Sequence, residues 1–194
     1  MRVSPRSRWL LACAGLPLVA LLVARLAEGT AVGPAFFAVG VGALQALAIP
    51  GSLSGRMRWF ALTSGAVLVA YALGLLAGFF AYFVIAFPLS LTGLHGDQVA
   101  TPAFVGAVLA GAVAGGALVG VAQSTQLRAR RTWIVRSAIG GPLILAASLA
   151  AQYGPATDLA AQPQAVLVIL VLGLLGCLGY GMLTANAVAQ RSAM

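Results

Sequence analysis

The sequence predicts an all-α bundle of six transmembrane helices in one domain, built from three related hairpins, and three observations carry this expectation. The 194 residues are 61% hydrophobic and only 7% charged, whereas an ordinary soluble domain is roughly 25% charged. Six apolar runs are separated by short polar turns, the arrangement expected of spans that cross a hydrocarbon core. A paired signal, Gly42-Ala43-Leu44-Gln45 and then Arg58-Trp59, returns as Gly120-Val121-Ala122-Gln123 and then Arg131-Thr132-Trp133. With a mean hydropathy of +1.03 the chain cannot cover its own surface with polar groups, so its expected solvent is lipid.

The elements follow in order, with helices expected at about 9–27, 33–49, 59–87, 102–126, 133–153 and 164–189. A basic leader (Arg2, Arg6, Arg8) precedes the first apolar run, a pattern that also fits a signal peptide. A retained helix is preferred because Arg8-Trp9 matches Arg58-Trp59 and no clean small-residue cleavage site precedes Glu28. Pro17 is expected to kink this helix, which neighbouring helices accommodate in a membrane. The second run ends at Pro50-Gly51, and Ser52 to Arg58 reads as a polar loop. The third is longer than one span needs, so a break at Phe87-Pro88 is expected, with Leu89 to Leu94 along the interface. Pro102 suits the first turn of the fourth helix. Gly140-Gly141-Pro142 should distort the inner half of the fifth.

Charge separates by loop. Arg2, Arg6, Arg8, Arg56, Arg58, Arg128, Arg130, Arg131 and Arg191 fall at the termini and in alternate loops, while Glu28, Asp97 and Asp158 fall in the others. By the positive-inside rule both termini are cytoplasmic, in a multi-pass protein of a bacterial cytoplasmic (inner) membrane. The formal charge of +8 is explained by this topology, since nucleic-acid binding needs cations gathered on a solvated face. Cys13 and Cys177 stand alone in apolar runs and read as small packing residues rather than a redox pair or zinc ligands.

Each hairpin begins with Trp9, Trp59 or Trp133, read as anchors at the headgroup level. Each even helix returns through glycine to a polar residue: Gly42 to Gln45, Gly120 to Gln123, Gly181 to Thr184. Gln45, Gln123, Gln126, Thr184 and Asn186 are therefore candidates for a polar vestibule or for interhelix hydrogen bonds, the second being favoured. Arg58, Arg131 and Arg136, with Trp59 and Trp133, are candidate anion or lipid-headgroup contacts, Arg136 by snorkelling. Glycines four apart, such as Gly74 and Gly78 or Gly111 and Gly115, offer close helix packing or a face for a membrane partner or a second copy.

The order Gly120, Gln123, Leu127, Arg128, Trp133 resembles that of a loose group of uncharacterised bacterial membrane proteins built from repeated helical hairpins. The resemblance covers the junctions between hairpins and implies architecture without a known activity.

Several chemistries are excluded. No acid lies mid-span, which argues against a proton-driven carrier, and Arg25 and Glu28 can pair at i, i+3 near the outer interface. The only histidine, His95, is in an outer loop and Ser54 in an inner one, so no Ser-His dyad assembles. There is no lysine for a Schiff base and no phosphate-cradling loop. Glu28, His95, Asp97 and Asp158 have no metal-site spacing, so no metal or cofactor is expected. The expected function is a non-enzymatic, permease-like or membrane-complex subunit. The alternatives are the solute-binding subunit of an energy-coupled importer, as six-helix proteins of this length resemble, and, disfavoured, a lipid-modifying enzyme.

Overall fold

The computed structural model describes residues 4–26, 32–127, 130–153 and 163–191. They form α1 (Pro5–Leu26), α2 (Gly33–Ala48), α3 (Leu53–Leu91), α4 (Asp97–Ser124), α5 (Arg130–Tyr153) and α6 (Pro163–Arg191), with no strand among the described residues. Each helix packs against the next, and α6 returns to pack on α1, so the ring is closed. α1 also meets α5 across it. The pairing expected between Arg25 and Glu28, and the position of Asp158, lie outside the described residues or side chains.

The odd helices begin earlier than the apolar pattern implies. The Ser52 hydroxyl caps α3 by accepting from the Gly55 amide at 3.3 Å, and the Arg56 amide bonds to the Ser52 carbonyl at 3.1 Å. The segment read as a loop is thus mostly the first turns of a helix. α5 likewise takes in Arg130 and Arg131, and α1 takes in Arg6 and Arg8. Polarity there marks the end of the apolar span without ending the helix.

The expected break at Phe87-Pro88 does not occur, because α3 continues through Pro88 to Leu91. Pro88 lacks the amide that would bond to the Val84 carbonyl, so it removes one rung near the end of the ladder without ending the helix. The Ser90 and Thr92 hydroxyls donate to the carbonyls of Phe87 and Leu89 at 2.7 and 2.6 Å, supplying donors where the ladder runs out. α4 starts at Asp97 rather than at Pro102, which lies in its second turn. Gly93 and Gly96, at φ +82° and +59°, make the reversal. Asp97 then places its negative charge in the first turn, at the positive end of the helix dipole.

The hairpins differ in reach. α3 has 39 residues and α2 only 16, about 58 Å against about 24 Å at 1.5 Å per residue. The backbone of α3 lies against α2 and α4, and Trp59 at its start also reaches α1 and α5, so among the described residues its far half keeps only α4. That contact is close: a Cβ on Gly74 or Gly78 would lie 3.0 Å from the carbonyl oxygen of Gly111 or Ala107. Gly111 and Gly115, read from sequence as a docking face, are thus turned toward α3 of the same chain. On the outside, Leu75, Phe79, Phe80, Phe83, Val84, Phe87 and Leu91 are each more than half exposed. α3 and α4 are long and apolar enough to cross a membrane, and only 11% of the most apolar stretch of either is buried, unlike the core helix of a soluble domain.

At the α4–α5 contact a Cβ on Gly116 would run into the Ser137 carbonyl oxygen and lie 2.9 Å from the Gly141 Cα. Gly116→Val should therefore lower the unfolding free energy by about 1–3 kcal/mol. At Gly65 a Cβ meets nothing within 4 Å, and Gly65→Ala should raise it by about 0.5–1 kcal/mol. Denaturant titration in detergent micelles reads both; equal responses would remove backbone proximity as the reason for Gly116.

Candidate functional site: a buried tryptophan and glutamine node

Three junctions between hairpins share one packing register. A Cβ on Gly181 of α6 would lie 3.0 Å from Cys13 Cβ and 3.2 Å from Leu10 of α1. One on Gly120 of α4 would lie 3.0 Å from Ile134 and 2.8 Å from Ser137 of α5, and one on Gly42 of α2 would meet Phe60 and Ser64 of α3. In each case glycine faces the residue that follows a tryptophan and a small residue about one turn further on. The side chain three residues after each glycine, Thr184, Gln123 or Gln45, is thereby carried to the tryptophan level.

The indoles meet there. Ring centroids of Trp9 and Trp59 are 6.2 Å apart, Trp9 and Trp133 5.9 Å, and Trp59 and Trp133 6.0 Å, two of the three pairs edge-on. All three residues are 0% exposed. This corrects the expectation that Trp59 and Trp133 sit among headgroups. Side chains placed at one height on alternate helices of a closed ring can turn inward as well as outward. Here the large rings fill the interior, where edge-to-face packing is favoured.

Polar groups border this cluster and bond to one another. Gln123 Nε2 donates to Gln45 Oε1 at 2.7 Å and to Thr63 Oγ1 at 3.0 Å, joining α2, α3 and α4. Trp9 Nε1 donates to Thr184 Oγ1 at 2.8 Å, and that hydroxyl donates to the Tyr180 carbonyl at 2.7 Å, joining α1 to α6. Gln45 and Gln123 are each 1% exposed, and Thr63 and Thr184 are fully buried. The Tyr180 hydroxyl lies beside Ser137 and Gln45. Two polar atoms, Trp133 Nε1 and Gln123 Oε1, are buried without a hydrogen-bond partner among the described residues. They stand on facing helices, in the register that joins Trp9 to Thr184.

The remaining sequence candidates lie elsewhere. Asn186 is exposed, two residues and more than half a helical turn past Thr184. Gln126 is half-buried in the turn after α4, its amide bonded to the Gln123 carbonyl at 3.0 Å. Arg58 and Arg131 are exposed and Arg136 is half-buried. Arg8 donates to the Leu47 carbonyl at 2.8 Å and so caps the end of α2. Cys13 and Cys177 are buried free thiols, Cys13 against Gly181. His95 and Asp97 are exposed at the turn between α3 and α4, and among the described residues no three metal-ligating side chains gather. Sequence reasoning missed Thr63, Ser137 and Tyr180. The available signal was a small residue four after each tryptophan: Cys13, Thr63 and Ser137.

Amides and hydroxyls donate and accept hydrogen bonds and indoles donate them, all without changing charge, so the node can hold helices together or bind a neutral polar group. A double-mutant cycle on Gln45→Leu and Gln123→Leu should give a coupling energy of about 0.6–1.7 kcal/mol, the range measured for hydrogen bonds between membrane helices. Additive effects would separate the two amides. Comparison of the chain with protein-family models, with curated proteins and with solved structures returns no match.

Proposed function

We propose that the protein is a non-enzymatic, multi-pass subunit of a complex in a bacterial cytoplasmic membrane, built from three copies of one helical hairpin and oriented with both termini inside. The observation that carries this reading is the mutual engagement of its buried polar side chains. Gln45, Gln123, Thr63, Thr184 and Trp9 already hold one another. A solute-capture subunit needs such groups free to meet a solute, and a lipid-modifying enzyme needs titratable ones. The recurring junction register supports the repeat, and the exposed apolar surfaces of α3 and α4 support the membrane.

The tagged protein, extracted in mild detergent and weighed by native mass spectrometry, should carry a second membrane protein at fixed stoichiometry and no tightly held solute. A bound vitamin-sized solute with no protein partner would overturn the subunit reading in favour of capture. For orientation, cysteines introduced as Ser54→Cys and Asp97→Cys, in a chain with Cys13 and Cys177 replaced by alanine, should react with an impermeant maleimide from opposite faces of the membrane. Labelling of both from one face would reject the topology.

A further inference from the structure

The arginine segments, separated by dozens of residues in sequence, converge at one end of the bundle. Arg8 and Arg58 directly precede Trp9 and Trp59, and Arg130 and Arg131 precede Trp133 by three and two residues. Since the three indoles touch pairwise, the starts of α1, α3 and α5 are neighbours. Arg56 and Arg136, one turn or less from the same tryptophans, join them.

Nothing among the described residues neutralises this end. The described carboxylate, Asp97, is at the start of α4, beyond the far end of α3. The first turns of α1, α3 and α5 contain no acid, so cations crowd the ends of helices whose dipoles are already positive. Arg8 is accounted for by the Leu47 carbonyl, whereas Arg56 Nε is buried without a hydrogen-bond partner. An arrangement that local energetics disfavours points to compensation from outside the chain.

The surroundings indicate what that is. Exposed apolar side chains border each arginine group: Leu11 one turn past Arg8, Leu53 and Met57 beside Arg56 and Arg58, and Val135 and Ile139 past Arg131. A ligand with a phosphate joined to acyl chains meets both surfaces, and guanidinium groups match phosphate bidentately. We infer that Arg56, Arg58, Arg130, Arg131 and Arg136 form a collar that binds the phosphates of anionic phospholipids. The inference rests on the membrane reading above.

The test uses the full chain reconstituted into phosphatidylcholine vesicles with and without phosphatidylglycerol, followed by extraction and native mass spectrometry of retained lipid. Phosphatidylglycerol should be retained in preference to phosphatidylcholine, and the preference should fall with added salt. It should drop roughly fivefold for each arginine removed in the series Arg131→Gln, Arg136→Gln and Arg58→Gln, in variants that still float with vesicles and elute like the parent. Retention of the two lipids in proportion to their supply would overturn the collar, as would an unchanged preference in the triple variant. Displacement of the lipid by inorganic pyrophosphate, with equal thermal stabilisation, would overturn the lipid as occupant in favour of a soluble phosphate. Failure of the parent to float with phosphatidylcholine alone would instead reject the membrane reading.

Discussion

Three indole rings, none with exposed surface, lean on one another where α1, α3 and α5 begin, and the rest of the bundle is arranged around that contact. Large rings meeting at one level leave room beside them only for short side chains and bare backbone. The even helices approach through Gly42, Gly120 and Gly181, and the odd helices offer Cys13, Thr63 or Ser64, and Ser137. Amides brought into such a place must find partners, because a buried polar group without one costs about 1–3 kcal/mol. Gln123 meets this by using its nitrogen twice. Its oxygen, the Trp133 nitrogen and the Ser64 hydroxyl are among the groups for which the described residues leave that requirement open.

Much of this was legible in the sequence, for identifiable reasons. Composition bounded the class, and the glycine three residues before Gln45, Gln123 and Thr184 marked even helices packed backbone to side chain. Helix number followed from apolar runs, and all six appear among the described residues. What failed was direction. The tryptophans share one level, as the repeat implied, but turn inward rather than outward, because hydropathy says nothing of azimuth. Asn186 failed for the same reason: two residues from Thr184 it points outward, although spacing alone makes both look like one polar end. Tyr180 was hidden because a tyrosine inside an apolar run carries no pattern until a facing helix is known, whereas Thr63 follows Trp59 at the spacing that also sets Cys13 after Trp9 and Ser137 after Trp133.

The ends of the helices show a second limit. Polar composition in residues 52 to 58 looked like a loop, yet Ser52 caps a helix that already contains the arginines. Helical propensity is high for arginine, and the charge reads the end of the apolar zone rather than the end of the element. Pro88 shows the converse, since it removes one rung of the ladder and α3 runs on to Leu91 all the same. Together the two errors made the expected α3, 59–87, shorter at both ends than the observed Leu53–Leu91.

The ring is closed by Trp9 and Thr184, which stand 175 residues apart. The other two junctions join helices that follow one another in the chain, so each can form as soon as its second member has emerged. The last cannot. Until α6 arrives, the first helix holds an indole donor and a small-residue face with nothing opposite, and every shorter piece of the chain is an open arc. Closing that seam costs a loop-closure entropy that grows only with the logarithm of the separation. The seam that makes the bundle a ring is thus written half in α1 and half in α6.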